Sequence, residues 1–214
     1  MRNNNIIDAH PIDLVFPIAG DKIEVAHGYL LYSAIVTVCP RLHDTESIGV
    51  HLIRGSYAGD GLLRIEDWSK LVIRMPESAI NSFLCLAGKK IRLGLNEIFI
   101  GIPEINYLVP GVSLYAHLVT TKNGQDEPRF KTEIAKQLLN IGVTCDTNTV
   151  KRKTFAIHGK QIVGYSLTVN GLTPLHSLKL QAQGLGGRRK MGCGIFLPVD
   201  KEISKCGRQI HNGN

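Results

Sequence analysis

The hydrophobic positions in the first half of the chain switch between strand spacing and helix spacing. Apolar residues from Leu30 to Val38 share one helical face, and Pro40 stops that helix. The predicted elements are a strand at 12–18, the helix just described, strands at about 48–54 and 68–75, a helix between Pro76 and Gly88, and a hairpin at 89–95 and 97–100. Their order is therefore strand–helix–strand–strand–helix–strand.

The second half repeats this plan. Thr173 and Pro174 are typical of a helix N-cap and first turn, and Gly184 is expected to end that helix as a left-handed cap. The predicted elements are a strand at 113–120, a helix with Phe130, Ile134 and Leu138 facing inward, strands at 149–158 and 161–170 around a turn at 158–160, a helix at 173–184, and a strand at 194–198.

This repetition predicts an α+β chain of two tandem ferredoxin-like (βαββαβ) domains, with a glycine-rich loop before the last strand. The predicted bounds are 1–102 for the N-terminal domain, 103–112 for a linker rich in proline and glycine, 113–200 for the C-terminal domain and 201–214 for a tail. Ferredoxin-like sheets serve many functions, so the function has to be argued from particular residues.

The charge of the chain is unevenly distributed. Residues 1–112 carry 10 Lys and Arg against 12 Asp and Glu, whereas residues 113–214 carry 15 against 6. A basic half on an otherwise balanced protein favours an anionic partner, although a solvated basic surface is the alternative interpretation.

The cysteines and histidines predict neither disulfides nor a metal site. The five cysteines are odd in number and widely spaced, and no pair has the CxxC spacing of zinc ligands. The sequence has no signal peptide and no apolar run near the length of a membrane span. We therefore expect reduced thiols, a cytoplasmic location, no membrane association and no cofactor.

The most distinctive segment, 183–198, holds five glycines around the consecutive cations Arg188, Arg189 and Lys190. A dinucleotide-binding fingerprint would need a glycine where Arg189 stands, and a P-loop would need Lys followed by Ser or Thr after Gly192. A nucleotide-binding metabolic enzyme is therefore a weak alternative. Glycines that allow close backbone approach, combined with three cations, indicate a nucleic-acid backbone as the ligand.

Residues 184–198 resemble the signature loop of the RAMP superfamily, and within it the CRISPR RNA-processing endoribonucleases that cut repeat RNA. Residues 27–32 (His-Gly-Tyr-Leu-Leu-Tyr) and 48–55 (Ile-Gly-Val-His-Leu-Ile-Arg-Gly) are similar to segments of a type I subgroup of that family. The resemblance extends from about Asp13 to Pro198.

The resemblance implies a metal-independent endoribonuclease that cleaves CRISPR repeat RNA (pre-crRNA) into guide RNA. Its product would carry a 2′,3′-cyclic phosphate, and the enzyme would stay on the 3′ repeat end of the crRNA with other subunits of a type I CRISPR surveillance complex. The alternative is an inactive guide-RNA-binding subunit of the same fold. The lack of carboxylate clusters in the sequence favours attack by the RNA's own 2′-hydroxyl over two-metal catalysis.

His27, at the start of the first helix, is the first catalytic candidate, because a helix N-terminus lowers the pKa of imidazole and a neutral ring can act as a general base. The alternative is an inert, hydrogen-bonded histidine. His51 is the second candidate; strand alternation would put it on one face with Gly49 and Ile53, as either an acid–base partner or a core residue. Tyr29 and Lys160 complete the predicted catalytic set.

The predicted RNA-binding residues are mostly cations and loop glycines. Strand alternation would separate Arg152 from its two lysine neighbours, so that one strand presents two cations on one face. Aromatic residues make up only 6% of the chain, so base stacking is not expected to dominate. The full set is Ser33, Arg54, Lys151, Arg152, Lys153, Lys179, Gly184, Gly186, Gly187, Arg188, Arg189 and Lys190. Tyr32 is assigned to the helix–sheet interface, and the structural or surface histidines are His43, His117, His158 and His176.

Overall fold

A computed structural model describes residues 11–45, 47–157 and 160–199, without the side chains at 149, 150 and 155–160. The chain forms two compact units. The first runs to Leu108 and also includes Thr154–Ile162 and Gly187–Cys193. The second comprises Val109–Lys153, Val163–Gly186 and the chain from Gly194 onward. These units therefore differ from the predicted domain bounds, most notably in the cationic part of the glycine-rich loop, which packs within the first unit.

The first unit contains strands β1 to β9 and helices α1 to α3. In chain order they are β1 (Pro11–Gly20), β2 (Lys22–Glu24), α1 (Gly28–Val38), α2 (Arg41–Asp44), β3 (Gly49–Val50), β4 (Ser56–Gly59), β5 (Leu62–Arg64), β6 (Lys70–Pro76), α3 (Ile80–Phe83) between 3-10 turns at Glu77–Ala79 and Leu84–Leu86, β7 (Lys90–Leu93), β8 (Asn96–Ile100) and β9 (Glu104–Tyr107).

The main sheet of this unit has the antiparallel order β3-β6-β1-β8-β7. Alternate residues of β1, namely Ile12, Leu14 and Phe16, are fully buried and pack in one core with Leu31 and Ile35 of α1. The first strand is thus central, between the third and fourth strands of the βαββαβ plan, which is the ferredoxin-like arrangement that was predicted.

Three features of the first unit differ from the sequence prediction. The helix expected after Pro76 is broken into 3-10 and α-helical turns, so Phe83 and Leu86, three residues apart, are buried, whereas Leu84 is exposed. The strands β2, β5 and β4 form a small second sheet that was not predicted. Finally, β9 lies inside the segment predicted as a linker and pairs with Ile12–Val15 of β1.

The second unit has the same plan, with β10 (Leu114–Val119), α4 (Glu127–Asn140), β11 (Asp146–Ile157), β12 (Lys160–Asn170), α5 (Pro174–Gln183) and β13 (Leu197–Pro198). Its sheet order is β11-β12-β10-β13, again with the first strand between the third and the fourth. Thr173 caps α5 as predicted, because its hydroxyl accepts a hydrogen bond from the His176 amide at 3.2 Å.

The last strand is shorter than predicted because of the glycines that precede it. Gly192 and Gly194 have φ values of 85° and 65°, outside the β region, so β13 begins only at Leu197. Gly184 ends α5 with a φ of 65°, but its ψ of −173° lies outside the left-handed helical region, so it does not form the left-handed cap that was predicted. Residues 158 and 159 of the predicted turn at 158–160, and the tail at 201–214, lie outside the described residues.

Candidate functional site

His27 directly precedes α1 and is 1% exposed. Its Nδ1 lies 2.7 Å from the Glu24 carbonyl oxygen, so Nδ1 carries the ring hydrogen, while Nε2 accepts a hydrogen bond of 2.9 Å from the Ile53 amide. Burial lowers the pKa of His27, against the raising effect of the Glu24 and Val25 backbone. The pKa of His27 is therefore lowered, as expected from the sequence, although burial rather than the helix N-terminus is the main cause. Both ring nitrogens already form hydrogen bonds to the backbone.

His51 lies next to a buried ion pair that the sequence analysis did not identify. Arg74 on β6 is 1% exposed and donates two hydrogen bonds of 2.8 Å to the carboxylate of Asp13 on β1. His51 Nε2 is 3.7 Å from Asp13 Oδ1. The predicted strand alternation at His51 is wrong, because β3 ends at Val50, although the His51 amide still donates to Val72.

The pKa values within this cluster reflect its burial. Burial works against ionisation of Asp13, but Arg74 and His51 together hold the pKa of Asp13 well below its usual range. Burial lowers the pKa of His51, and this outweighs the raising effect of Asp13. The sequence does carry a signal for this ion pair. Asp13 and Arg74 each stand within an otherwise largely apolar strand, and charges buried in a protein are usually paired.

His43 on α2, which was predicted to be a structural or surface residue, has polar neighbours from α1 and from the glycine-rich loop. His43 is exposed, and its Nδ1 lies 2.9 Å from the hydroxyl of Tyr32 on α1. Lys190, from the glycine-rich loop, donates a hydrogen bond of 2.6 Å to the His43 carbonyl oxygen. Tyr29 lies beside Tyr32, with ring centroids 6.4 Å apart. No fixed sequence spacing connects these residues, which explains why the pattern alone did not find them.

The part of the glycine-rich loop that belongs to the first unit, Gly187–Cys193, packs very closely within it. A Cβ atom on Gly28, the first residue of α1, would lie 2.5 Å from the Met191 carbonyl oxygen. A Cβ on Gly192, which has a φ of 85°, would lie 2.5 Å from the Leu52 side chain. Glycine at these two positions therefore lets the 3-10 turn Arg189–Met191 pack against α1 and the residues after β3.

The three consecutive cations of this loop have different surroundings. Arg188 is exposed and has a left-handed φ of 62°. Arg189 is partly buried, and burial together with the charge of Arg74 lowers its pKa to about 10. Lys190 is partly buried and is held at the His43 carbonyl. The structure thus brings Lys190 to the backbone of His43.

The predicted cations of the second unit lie on an extended strand. Lys151 and Arg152 on β11 are exposed, whereas Lys153 is partly buried. Lys153 Nζ is 3.0 Å from the ring nitrogens of His117 on β10. Burial lowers the pKa of Lys153, and the charge of Lys151 adds to this effect. A histidine among cations on a sheet is a candidate that the sequence analysis missed.

The remaining predicted site residues lie in different parts of the chain. Ser33 and Arg54 are exposed in the first unit, and Lys179 is partly buried on α5. Gly186 donates its amide hydrogen to Gln137 at 2.7 Å, and Gly187 is exposed. The side chain of Lys160 lies outside the described atoms.

Within the described ranges, no group of three or more His, Cys, Asp or Glu side chains could hold a metal ion. No described helix is long and apolar enough to cross a membrane.

Comparison with known proteins gives a consistent result. The family model described as Cas6 Crispr matches residues 12–201. A protein of Myxococcus xanthus (strain DK1622), the CRISPR-associated endonuclease Cas6, is 36% identical over 194 residues, which are 87% of this chain and 81% of the relative.

Solved structures show the same fold at low sequence identity. A CRISPR associated protein Cas6 is 16% identical with a TM-score of 0.62, covering 90% of this chain and all of the other. A structure of a Cas6-related gene product from Pyrococcus furiosus is 14% identical with a TM-score of 0.64, covering 90% and 99%. A RAMP protein described as binding different RNA substrates is 13% identical with a TM-score of 0.59, covering 89% and 99%.

Proposed function

Since this chain belongs to the Cas6 family of CRISPR-associated proteins, we propose that it is a metal-independent endoribonuclease that cuts CRISPR repeat RNA. The observation that carries the proposal is an exposed histidine, His43, paired with Tyr32 and adjoining a cation of the glycine-rich loop. RNA supplies its own nucleophile, so the protein has to provide only proton transfer and positive charge.

The reaction follows from the chemistry of the RNA backbone. The 2′-oxygen attacks the adjacent phosphorus in line, and the bond from phosphorus to the 5′-oxygen breaks. The 2′-hydroxyl proton is taken by a base, and the leaving 5′-oxygen receives a proton from an acid. The products are an RNA with a 2′,3′-cyclic phosphate and an RNA with a 5′-hydroxyl.

We assign proton transfer to His43. If the Nδ1 hydrogen of His43 is donated to the Tyr32 oxygen, the neutral ring leaves Nε2 unprotonated, and Nε2 can take the 2′-hydroxyl proton. Tyr32 then acts as a positioning residue that fixes the tautomer. Lys190 supplies positive charge next to His43, where it would stabilise the phosphorane formed during attack.

The catalytic role predicted for His27 is the competing assignment. To act as a base, Nε2 of His27 would have to give up the hydrogen bond from the Ile53 amide and become accessible from a 1% exposed position. His51 faces a similar obstacle because its ring is mostly buried next to Asp13. The roles of Tyr29 and Lys160 stay predictions.

RNA binding is proposed to depend on cations of both units. Arg188 is exposed on the glycine-rich loop, and Lys151 and Arg152 are exposed on β11, where they can contact phosphates. A relative with this fold is described as binding different RNA substrates. We further propose that the enzyme keeps the 3′ repeat end after cleavage and joins a type I CRISPR surveillance complex.

The second candidate function is a guide-RNA-binding subunit without activity. It is favoured by one observation, the complete engagement of the His27 ring, since that histidine was the first catalytic candidate. The two functions differ in whether bound RNA is cut.

The deciding experiment incubates the full chain with the repeat RNA of its own locus in excess EDTA. A matched RNA carries a single 2′-deoxy substitution at the cut position. We expect cleavage of the all-ribose RNA, a 2′,3′-cyclic phosphate on its upstream product, and no cleavage of the deoxy RNA. Tight binding of both RNAs without any cut would support the inactive subunit instead.

A further inference from the structure

Cys39 and Cys85 form a thiol pair that takes no part in the proposed RNA chemistry. Cys39 directly follows α1 and is 2% exposed, whereas Cys85 lies in the 3-10 turn Leu84–Leu86 and is exposed. Both thiols donate to the same acceptor, the Ser82 carbonyl oxygen, at 3.1 Å from Cys39 and 3.5 Å from Cys85. The two sulfur atoms are therefore separated by no more than the sum of these distances.

The pair has the two properties of a disulfide-forming site, an accessible sulfur and a protected neighbour. Burial raises the pKa of the Cys39 thiol to about 11, and the nearby Cys85 thiol contributes to this rise. Cys39 is therefore a poor first target for oxidants, while Cys85 is open to solvent. Oxidation would begin at Cys85, with Cys39 as the resolving thiol.

We propose that Cys39 and Cys85 are a redox-modification site that hydroperoxides convert reversibly into a disulfide. In the first step, the Cys85 sulfur attacks the peroxide, the O–O bond breaks, and Cys85 becomes a sulfenic acid while water or an alcohol leaves. In the second step, the Cys39 sulfur loses its proton and attacks the Cys85 sulfur, which releases water and forms the S–S bond. One peroxide thus oxidises two thiols, and a dithiol reductant restores both.

The location of the pair connects it to the His43 cluster. The Cys39 amide donates to Ile35 of α1, and the Cys39 carbonyl accepts from the Leu42 amide of α2. Cys39 therefore lies in the short connection between α1, which carries Tyr32, and α2, which carries His43. A disulfide would remove both thiol hydrogen bonds to the Ser82 carbonyl oxygen. It would also link the connection between α1 and α2 covalently to the turn at Leu84–Leu86.

The test treats the reduced full chain with about one equivalent of hydrogen peroxide, blocks remaining thiols with N-ethylmaleimide under denaturing conditions, and maps tryptic peptides. The expected product is lighter by two hydrogen atoms and contains peptide 23–41 joined to peptide 75–89. Dithiothreitol should separate the two. Oxidation of Cys85 to a sulfinic acid with Cys39 still fully alkylated, or a bond from Cys85 to any other cysteine, would overturn the proposal.

Variants separate the two steps. Cys39→Ala should leave Cys85 as a sulfenic acid that dimedone labels, and Cys85→Ser should leave Cys39 reduced. Cys145→Ser is the matched control, since it removes a thiol of the second unit and should leave the cross-linked peptide unchanged. Dimedone labelling of wild type equal to that of Cys39→Ala would contradict a resolving role for Cys39.

The proposal that the Cys39–Cys85 disulfide slows RNA cleavage rests on the proposed function, whereas the disulfide itself does not. The oxidised protein should cut repeat RNA several-fold more slowly than the reduced protein, dithiothreitol should restore the rate, and Cys85→Ser should not respond to peroxide. If the reduced protein does not cut at all, the proposed function fails while the peptide map still tests the disulfide. Equal rates before and after complete disulfide formation would overturn the link to the His43 cluster.

Discussion

The chain contains two runs of three consecutive cations, and the structure gives them different environments. Arg188, Arg189 and Lys190 lie on a loop that folds into a 3-10 turn, so one cation is exposed and the other two are partly buried. The run at 151–153 lies on the extended strand β11, where two of three cations are exposed.

The two runs carry the same charge, so backbone conformation accounts for their different surroundings, and we propose that it also separates a catalytic cation from a binding cation. In the loop, Lys190 is held at the carbonyl of His43, whose ring bonds to the Tyr32 hydroxyl. In the strand, Lys151 and Arg152 are exposed and can contact a phosphate backbone. We therefore expect loss of Lys190 to change the cleavage rate, and loss of the exposed strand cations to change affinity for RNA.

Among variants of the two cationic runs, the largest effect is expected from Lys190→Ala. Loss of its charge and of its hydrogen bond to the His43 carbonyl should lower the single-turnover cleavage rate about 100-fold, with little change in the Kd for repeat RNA. Arg188→Ala is the matched control, because Arg188 belongs to the same run but is exposed. Equal rate losses in the two variants would show that the run acts only by its total charge.

Gly192→Ala tests whether the loop's close packing is needed to hold Lys190. The new Cβ would clash with Leu52 at a φ of 85°, so the free energy of unfolding should fall by about 1–3 kcal/mol. Cleavage should slow as well. Gly187→Ala, where a Cβ would meet no atom within 4 Å, should leave urea unfolding unchanged. Similar unfolding curves for both variants would contradict this packing.

Lys151→Ala and Arg152→Ala test the other half of the comparison. Each should reduce the slope of log affinity against log salt by about 0.7, the value for single-stranded nucleic acid, without changing the cleavage rate at saturating protein. Lys131→Ala on α4 removes a cation of the same unit that already pairs with Glu127 at 2.8 Å, so it should have little effect. A reduced saturated rate in the strand variants would break the proposed separation.

The smallest effect concerns stability and pH at His27. The pKa of His27 is lowered by folding, so its contribution to stability is complete above the unfolded pKa of about 6.5 and decreases as the pH falls below that value. The slope approaches about 1.4 kcal/mol per pH unit for one such residue. Unfolding of His27→Gln between pH 7 and 5 should depend less on pH than unfolding of wild type; parallel curves would contradict the assignment.

The fold could be predicted well from the sequence because hydrophobic periodicity is a local signal. The strand predicted at 12–18 and the capped start of α5 at Thr173 both appear in the structure as expected. The small sheet of β2, β5 and β4 and the strand β9 were missed, since short strands of mixed polarity depend on their partners for stability.

The candidate site was harder to predict because it depends on contacts between distant residues. His43 lies 11 residues from Tyr32 and 147 from Lys190, and neither spacing has a motif. The pairing of Asp13 with Arg74 spans 61 residues in the same way. His27, by contrast, stood out in sequence through its helix position, yet its ring is engaged by backbone groups on both sides.

The most direct test of the account compares His43→Ala with His27→Gln in single-turnover cleavage of repeat RNA in excess EDTA, with Kd measured in parallel. The account predicts that His43→Ala lowers the rate by about 10²–10⁴-fold at unchanged affinity, whereas folded His27→Gln retains most of the rate. A His43→Ala variant that cuts at the wild-type rate, together with a folded His27→Gln variant that does not cut, would contradict it and return the catalytic role to His27.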